Sequence, residues 1–202
     1  PDNGNPLWYM DEKDANDKLT GKRVTTSDYA SANYYYVNKS SLPKVYGGFN
    51  TSLSWKGFDL SAIFAYSIGG YIYNRDITMI LHNGSLEGRD WSTEILKRWT
   101  PENRYTDVPA LSTTSNNWNS ASTRFLQNNS YMRLKNLTLS YDLPKQWISK
   151  LALSSVQVFV QGDNLFTIHR NQGLDPEQGI TGITYYRYPA MRTISGGINL
   201  SF

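Results

Sequence analysis

The chain has 202 residues, 39% of them hydrophobic and 14% aromatic, with a formal net charge of +3 and no cysteine. No apolar run reaches the ~20 residues that a membrane-crossing helix needs, and the missing cysteines remove disulfide scaffolds and thiolate metal centres. The 20 Lys and Arg are scattered among 17 Asp and Glu, which leaves no basic stripe for nucleic acid, and a mean hydropathy of -0.53 with 15 Tyr and 6 Trp suits a β-protein that is apolar on one face only.

Pro1 opens the sequence without an initiator Met, a charged leader or an apolar leader core, so the chain is read as a stretch of something longer. The first clear alternation begins at Val45. Val45, Gly47, Phe49, Thr51, Leu53 and Trp55 are apolar or small, and the residues between them are mostly polar, which is the two-residue period of a half-buried strand. After Lys56-Gly57 the phase reverses, and Phe58, Leu60, Ala62, Phe64 and Tyr66 become the apolar set. A two-residue turn sets Trp55 opposite Phe58, Leu53 opposite Leu60, Thr51 opposite Ala62 and Phe49 opposite Phe64, so that every apolar side chain falls on one face.

A long connection, roughly Gly69 to Asn129, follows. Beyond it Leu137, Leu139 and Tyr141 alternate with Thr138, Ser140 and Asp142. Leu143-Pro144 opens a short connector, Lys145 to Leu153, suited to one helical turn with Pro144 near its start. Val156, Val158 and Val160 then alternate with Gln157, Phe159 and Gln161. A second long connection, roughly Thr167 to Pro189, leads to Ile194, Gly196, Ile198, Leu200 and Phe202 alternating with Ser195, Gly197, Asn199 and Ser201.

Short and long connections thus alternate, as do the periplasmic turns and extracellular loops of transmembrane barrels. On that reading the fold class is all-β, an antiparallel transmembrane barrel. Residues 1–44 are an extracellular loop and residues 45–202 carry barrel strands with long extracellular loops at about 69–129 and 167–189. Trp55, Phe58, Tyr141 and Phe202 then gather at the periplasmic ends of their strands as interfacial aromatics. Resemblance to outer-membrane barrels implies that Phe202, with Ile198 and Leu200 before it, is an assembly signal read by barrel-insertion machinery, with strand addition as the physical basis. The competing fold is a soluble β-sandwich, in which the same apolar faces meet a second sheet.

Little in the sequence points to catalysis. His82 and His169 stand in no metal-ligand or nucleophile spacing and are expected in loops, and no catalytic, metal or cofactor site is expected. Asp163 and the pair in Asp175-Pro176-Glu177 are better read as turn formers than as the acids of a glycosidase. Asp175 and Glu177 with Asn171 lack the spacing of a calcium loop. Loop aromatics Trp91, Trp99, Tyr105 and Trp118 are the candidates for touching cargo or a partner, against the alternative that they pack the loop on itself.

Several blocks, in order, resemble the C-terminal part of the SusC/RagA family of TonB-dependent outer-membrane transporters. They are Val45-Tyr46-Gly47-Gly48-Phe49-Asn50 with Trp55-Lys56-Gly57-Phe58-Asp59-Leu60-Ser61; Arg98-Trp99-Thr100-Pro101-Glu102-Asn103; Ser130-Tyr131-Met132-Arg133-Leu134-Lys135-Asn136-Leu137-Thr138-Leu139; Gly162-Asp163-Asn164-Leu165-Phe166-Thr167; Gly173-Leu174-Asp175-Pro176-Glu177; and Tyr188-Pro189 with Arg192-Thr193-Ile194 through to Phe202. The resemblance implies the last five or so strands of a barrel of about 22, closed by an N-terminal plug domain that is not in this chain. It implies energy from the TonB complex acting through the missing region, a SusD-like surface lipoprotein as lid, and a place in the outer membrane of a Gram-negative bacterium. Two functions follow: uptake of oligosaccharide or oligopeptide cargo through a barrel, or, on the sandwich alternative, a soluble glycan-binding module.

Overall fold

A computed structural model describes residues 3–82, 84, 88–112, 117–149, 152–171, 173, 175–177, 179–184 and 186–202. Lys150 and Leu151 of the short connector, and Leu174 of the Gly173 block, lie outside these. In chain order the strands are β1 (Trp8–Lys13), β2 (Leu19–Thr26), β3 (Val45–Trp55), β4 (Phe58–Ile68), β5 (Tyr71–Tyr73), β6 (Leu126–Asn128), β7 (Tyr131–Asp142), β8 (Ser155–His169) and β9 (Thr193–Ser201). The two short helices are α1 (Arg75–Ile80) and α2 (Lys145–Ile148). The chain divides into two compact units, one of residues 1–38, 73–126 and 183–185, the other of 39–72, 127–182 and 186–202.

The second unit is an antiparallel sheet ordered β3-β4-β7-β8-β9. Its hairpin carries the four expected pairs, Trp55↔Phe58, Leu53↔Leu60, Thr51↔Ala62 and Phe49↔Phe64. Lys56 and Gly57 both have positive φ, 50° and 86°, as the tightest hairpin turns require, and only the glycine takes this without a Cβ penalty. Leu60, Leu139, Val160 and Gly196 continue one row across the sheet, and Phe58, Tyr141, Val158 and Ile198 another, so one face is apolar from edge to edge. That face is open: Leu53, Leu60, Leu139, Val160 and Ile198 are all exposed. A sandwich would bury these residues under a second sheet. Among the described residues no such layer covers them.

A bulge interrupts the alternation of β7. Leu134 faces Phe64 and Phe166, Asn136 faces Ile63 and Asp163, and Lys135 has no partner of its own. On either side of it, Arg133 hydrogen-bonds Thr167 and Asn136 hydrogen-bonds Asp163, so the odd and even sets exchange faces there. The bulge keeps Leu134 and Leu137 on the apolar side while Arg133 and Asn136 share the polar one.

One expected boundary shifts, and two expected loops contain structure of their own. Residues 1–44, read as a loop, contain the β1–β2 hairpin, whose turn is held by the Asp14 carboxylate accepting from the N–H of Asn16 and of Lys18. Strand β8 runs through His169, so that residue is not in a loop and the second long connection begins at Arg170. The first long connection has structure of its own. It holds α1, capped by the Asn74 side chain accepting from Ile77 N–H, and a small core of Ile95, Val108 and Trp118.

Candidate binding surfaces

The polar face of the sheet carries a hydrogen-bonded ladder. Asn136 donates to Asp163 at 2.8 Å and accepts from Thr138 at 2.9 Å; Gln161 donates to Asp163; Asn199 donates to Gln157, which donates to Asp142. Amides and hydroxyls of this kind suit a wet surface, where each exchanges partners with water at little cost. Asp163 therefore serves as an acceptor for two amide side chains.

At the end of the sheet away from Lys56-Gly57, the acids of Asp175-Pro176-Glu177 take part in a clamp. The Arg133 guanidinium, only 4% exposed, donates to Asp175 at 2.5 Å and to Glu177 at 2.7 Å, and its Nε donates to the Thr167 hydroxyl. Lys135 adds a second cation to Glu177 at 2.9 Å. Burial raises the Asp175 pKa, but N–H donation from Ala190 and Glu177 and the Arg133 charge outweigh it and hold the group below the usual carboxylate range. The turn-former reading of these acids is thus incomplete, because they also neutralise a buried cation. Asn129 ties the same segment down by donating to the Pro176 carbonyl and accepting from Asn171. Asn171 is engaged by a side-chain amide, and no group of acids and histidines fit for a metal occurs among the described residues.

Pairing gathers three of the four expected interfacial aromatics on the apolar face beside the Lys56-Gly57 turn. Trp55 pairs with Phe58, and the Phe58 ring packs at 4.4 Å on that of Tyr141. Phe202 follows β9 at the same end, 91% exposed, with its carbonyl accepting from the Ser154 hydroxyl. Ile198 and Leu200 share the apolar face of β9 and are exposed. Trp147 in α2 is a further exposed aromatic on the connector at this end, which alternation could not reveal because it stands outside any strand.

The four loop aromatics have different fates. Trp118 is 2% exposed, packed with Ile95 and Val108, and donates its indole N–H to the Ala110 carbonyl, so it is a core residue and not a contact surface. Trp99 is part-buried against Gly4, where any Cβ would meet its ring at 2.5 Å. Ala110 donates its N–H to Gly4, so Trp99 and Trp118 converge on one corner of the unit. Trp91 is half exposed and donates its indole N–H to buried His82 at 3.1 Å. His82 lies outside any helix or strand, as expected, and is buried there as an acceptor. Tyr105 stands free of its surroundings, and Tyr34 and Tyr36, which sequence reasoning passed over, are each 91% exposed in the same unit.

No family model matches the chain. It is 33% identical over 166 residues to TonB-dependent receptor P3 of Formosa agariphila and 27% identical over 168 residues to TonB-dependent receptor SusC of Bacteroides thetaiotaomicron, matches that cover 77% and 83% of this chain and 16% of each relative. The solved RagAB peptide transporter is 34% identical and superposes with a TM-score of 0.82 over 100% of this chain and 22% of its own. The RagAB importer in its closed-closed state gives 0.79 over 98% and 21%. The chain thus spans about a sixth of the curated relatives and about a fifth of the solved ones. Open apolar face, polar hydrogen-bonded reverse and the likeness to these proteins agree: the chain belongs to the SusC/RagA family of TonB-dependent outer-membrane transporters and forms part of their barrel.

Proposed function

We propose that the intact protein imports oligosaccharide or oligopeptide cargo across the outer membrane of a Gram-negative bacterium, driven by the TonB complex and covered by a SusD-like lipoprotein. The observation that carries this reading is the exposed apolar face of the five-stranded sheet backed by a polar ladder, the pattern of strands with lipid on one side and a wet lumen on the other. In this reading β3 and β9 are closed by the other strands of a barrel of about 22, since unpaired strand edges in hydrocarbon are costly. Trp55, Phe58, Tyr141, Trp147 and Phe202 line the periplasmic interface. The 1–44 hairpin and the 69–129 module face outside, where Trp91, Tyr105, Tyr34 and Tyr36 meet cargo or lid. Deleting the gene for the intact protein is expected to remove growth on one oligosaccharide or oligopeptide source, and inactivating TonB to do the same. Unchanged growth on every such source tested would refute the importer.

A further inference from the structure

Within the sheet unit, residues 175–177 and Ile180 are tied down at three points. Asp175 and Glu177 hold Arg133, the Pro176 carbonyl accepts from Asn129, and the Ile180 carbonyl accepts from the Ser41 hydroxyl at 2.8 Å. Between this segment and strands β3, β4 and β7 lies a cleft of about 310 Å³. Its floor is a cross-strand row on the polar face, Tyr46 opposite Ser67 and Ser67 opposite Tyr131, with Ala65 beside it. None of the described residues lining it is Lys, Arg, His, Asp or Glu. Of the neighbouring charges, Arg133, Asp175 and Glu177 are engaged with one another, and the Arg187 guanidinium lies beside Gly179 at the edge of the cleft.

We propose that this cleft is a preformed subsite for one uncharged sugar ring of an oligosaccharide; the inference rests on reading the intact protein as an importer. Two tyrosines supply ring faces and hydroxyls, and a neutral ring with several hydroxyls can use both. A short peptide with free ends brings an ammonium, and a cleft with no carboxylate among its described lining residues leaves that ammonium without a partner as it loses water. The volume lies at the small end of the roughly 300–1,000 Å³ of ligand sites, which fits one or two rings and not a longer segment. Because the covering segment is already fastened, binding has little loop ordering to offset. Arg133 acts here as a positioning residue that holds the cover without lining the cleft, whereas Asn129 both holds the cover and lines the cleft.

The test uses the intact transporter in a detergent without a sugar headgroup, read by saturation-transfer NMR. One sample holds glucose, galactose, mannose and xylose at millimolar concentration, and another holds glycylglycine. Transfer to at least one sugar is expected, falling about five-fold or more in Tyr131→Ala and in Tyr46→Ala and retained in Tyr131→Phe, with none to glycylglycine. No transfer to any sugar, transfer untouched by either alanine, or transfer to the dipeptide alone overturns the subsite. Should Tyr131→Ala fail to insert, Tyr46→Ala decides, since that side chain is 76% exposed and removes no packed core. TonB-dependent uptake that ignores both tyrosines removes the subsite and leaves the importer, whereas uptake independent of TonB removes the importer itself.

Discussion

The two units of this chain place their apolar residues differently. In the unit built around residues 73–126 the protected side chains are Ile95, Val108 and Trp118, as in any water-soluble core. In the sheet a cation, Arg133, is buried beside Leu134 and Val156, while Leu53, Ile198 and Leu200 stand more than half exposed. The pattern is the one expected of a chain that meets two solvents: apolar groups withdraw where water surrounds a fold and stay at the surface where hydrocarbon does.

Paired substitutions separate the two regimes and have the largest expected effects. Trp118→Ala should cost about 3–5 kcal/mol, confined to its own unit, because it empties a packed site and orphans the Ala110 carbonyl. Leu137→Arg, in the middle of β7 on the apolar face, should cost about 2–4 kcal/mol in refolding into vesicles, and Thr138→Arg on the polar face much less. Limited proteolysis reads the first and urea titration in lipid the second. Equal costs at 137 and 138 would erase the distinction between the faces.

The clamp sharpens the comparison at smaller scale. The Asp175 pKa is depressed in the fold, so its contribution is fully present above the ordinary carboxylate value of about 3.9 and is lost as pH falls through the lower folded value. A nitroxide at position 180 should stay immobile from neutral pH down to that range and loosen only below it. Asp175→Asn should loosen it at every pH. Loosening near pH 6 in the wild type would assign the restraint to another group.

The smallest expected effect on stability belongs to Phe202→Ala. Phe202 lies at the end of β9 and is almost fully exposed, so its removal should lower the amount of protein inserted while the inserted molecules melt nearly as before. Normal insertion with a lower melting temperature would make it an anchor and not a signal.

Much of the sheet was legible because a two-residue turn and two opposite alternation phases permit only one register, and the Trp55↔Phe58 pair follows from them. The bulge was not, since Lys135 and Asn136 are both polar and look alike in a periodicity. The clamp joins Arg133 to acids more than forty residues away, a distance over which sequence spacing carries no geometry. For the loop tryptophans, identity alone could not tell packed Trp118 from half-exposed Trp91, because neither lies in an alternating stretch. The Asp14-Ala15-Asn16-Asp17 run did carry a turn signal for the β1–β2 hairpin, and its strands lacked the clean alternation that would have supported it.

Strands β4 and β7 are neighbours in the sheet although about sixty residues separate them, a closure whose entropic cost grows only with the logarithm of that length. The ends of the excursion are stitched together by Gly69 N–H on the Ser130 hydroxyl and Asn129 N–H on the Gly70 carbonyl. The β3–β4 hairpin can form within microseconds from local contacts, so the slow event in building this wall is the arrival of β7. Lengthening the excursion should delay that arrival only slightly, whereas unpicking the stitch at Ser130 should leave β4 with an unclaimed edge for longer, at the stage when misassembly competes with insertion.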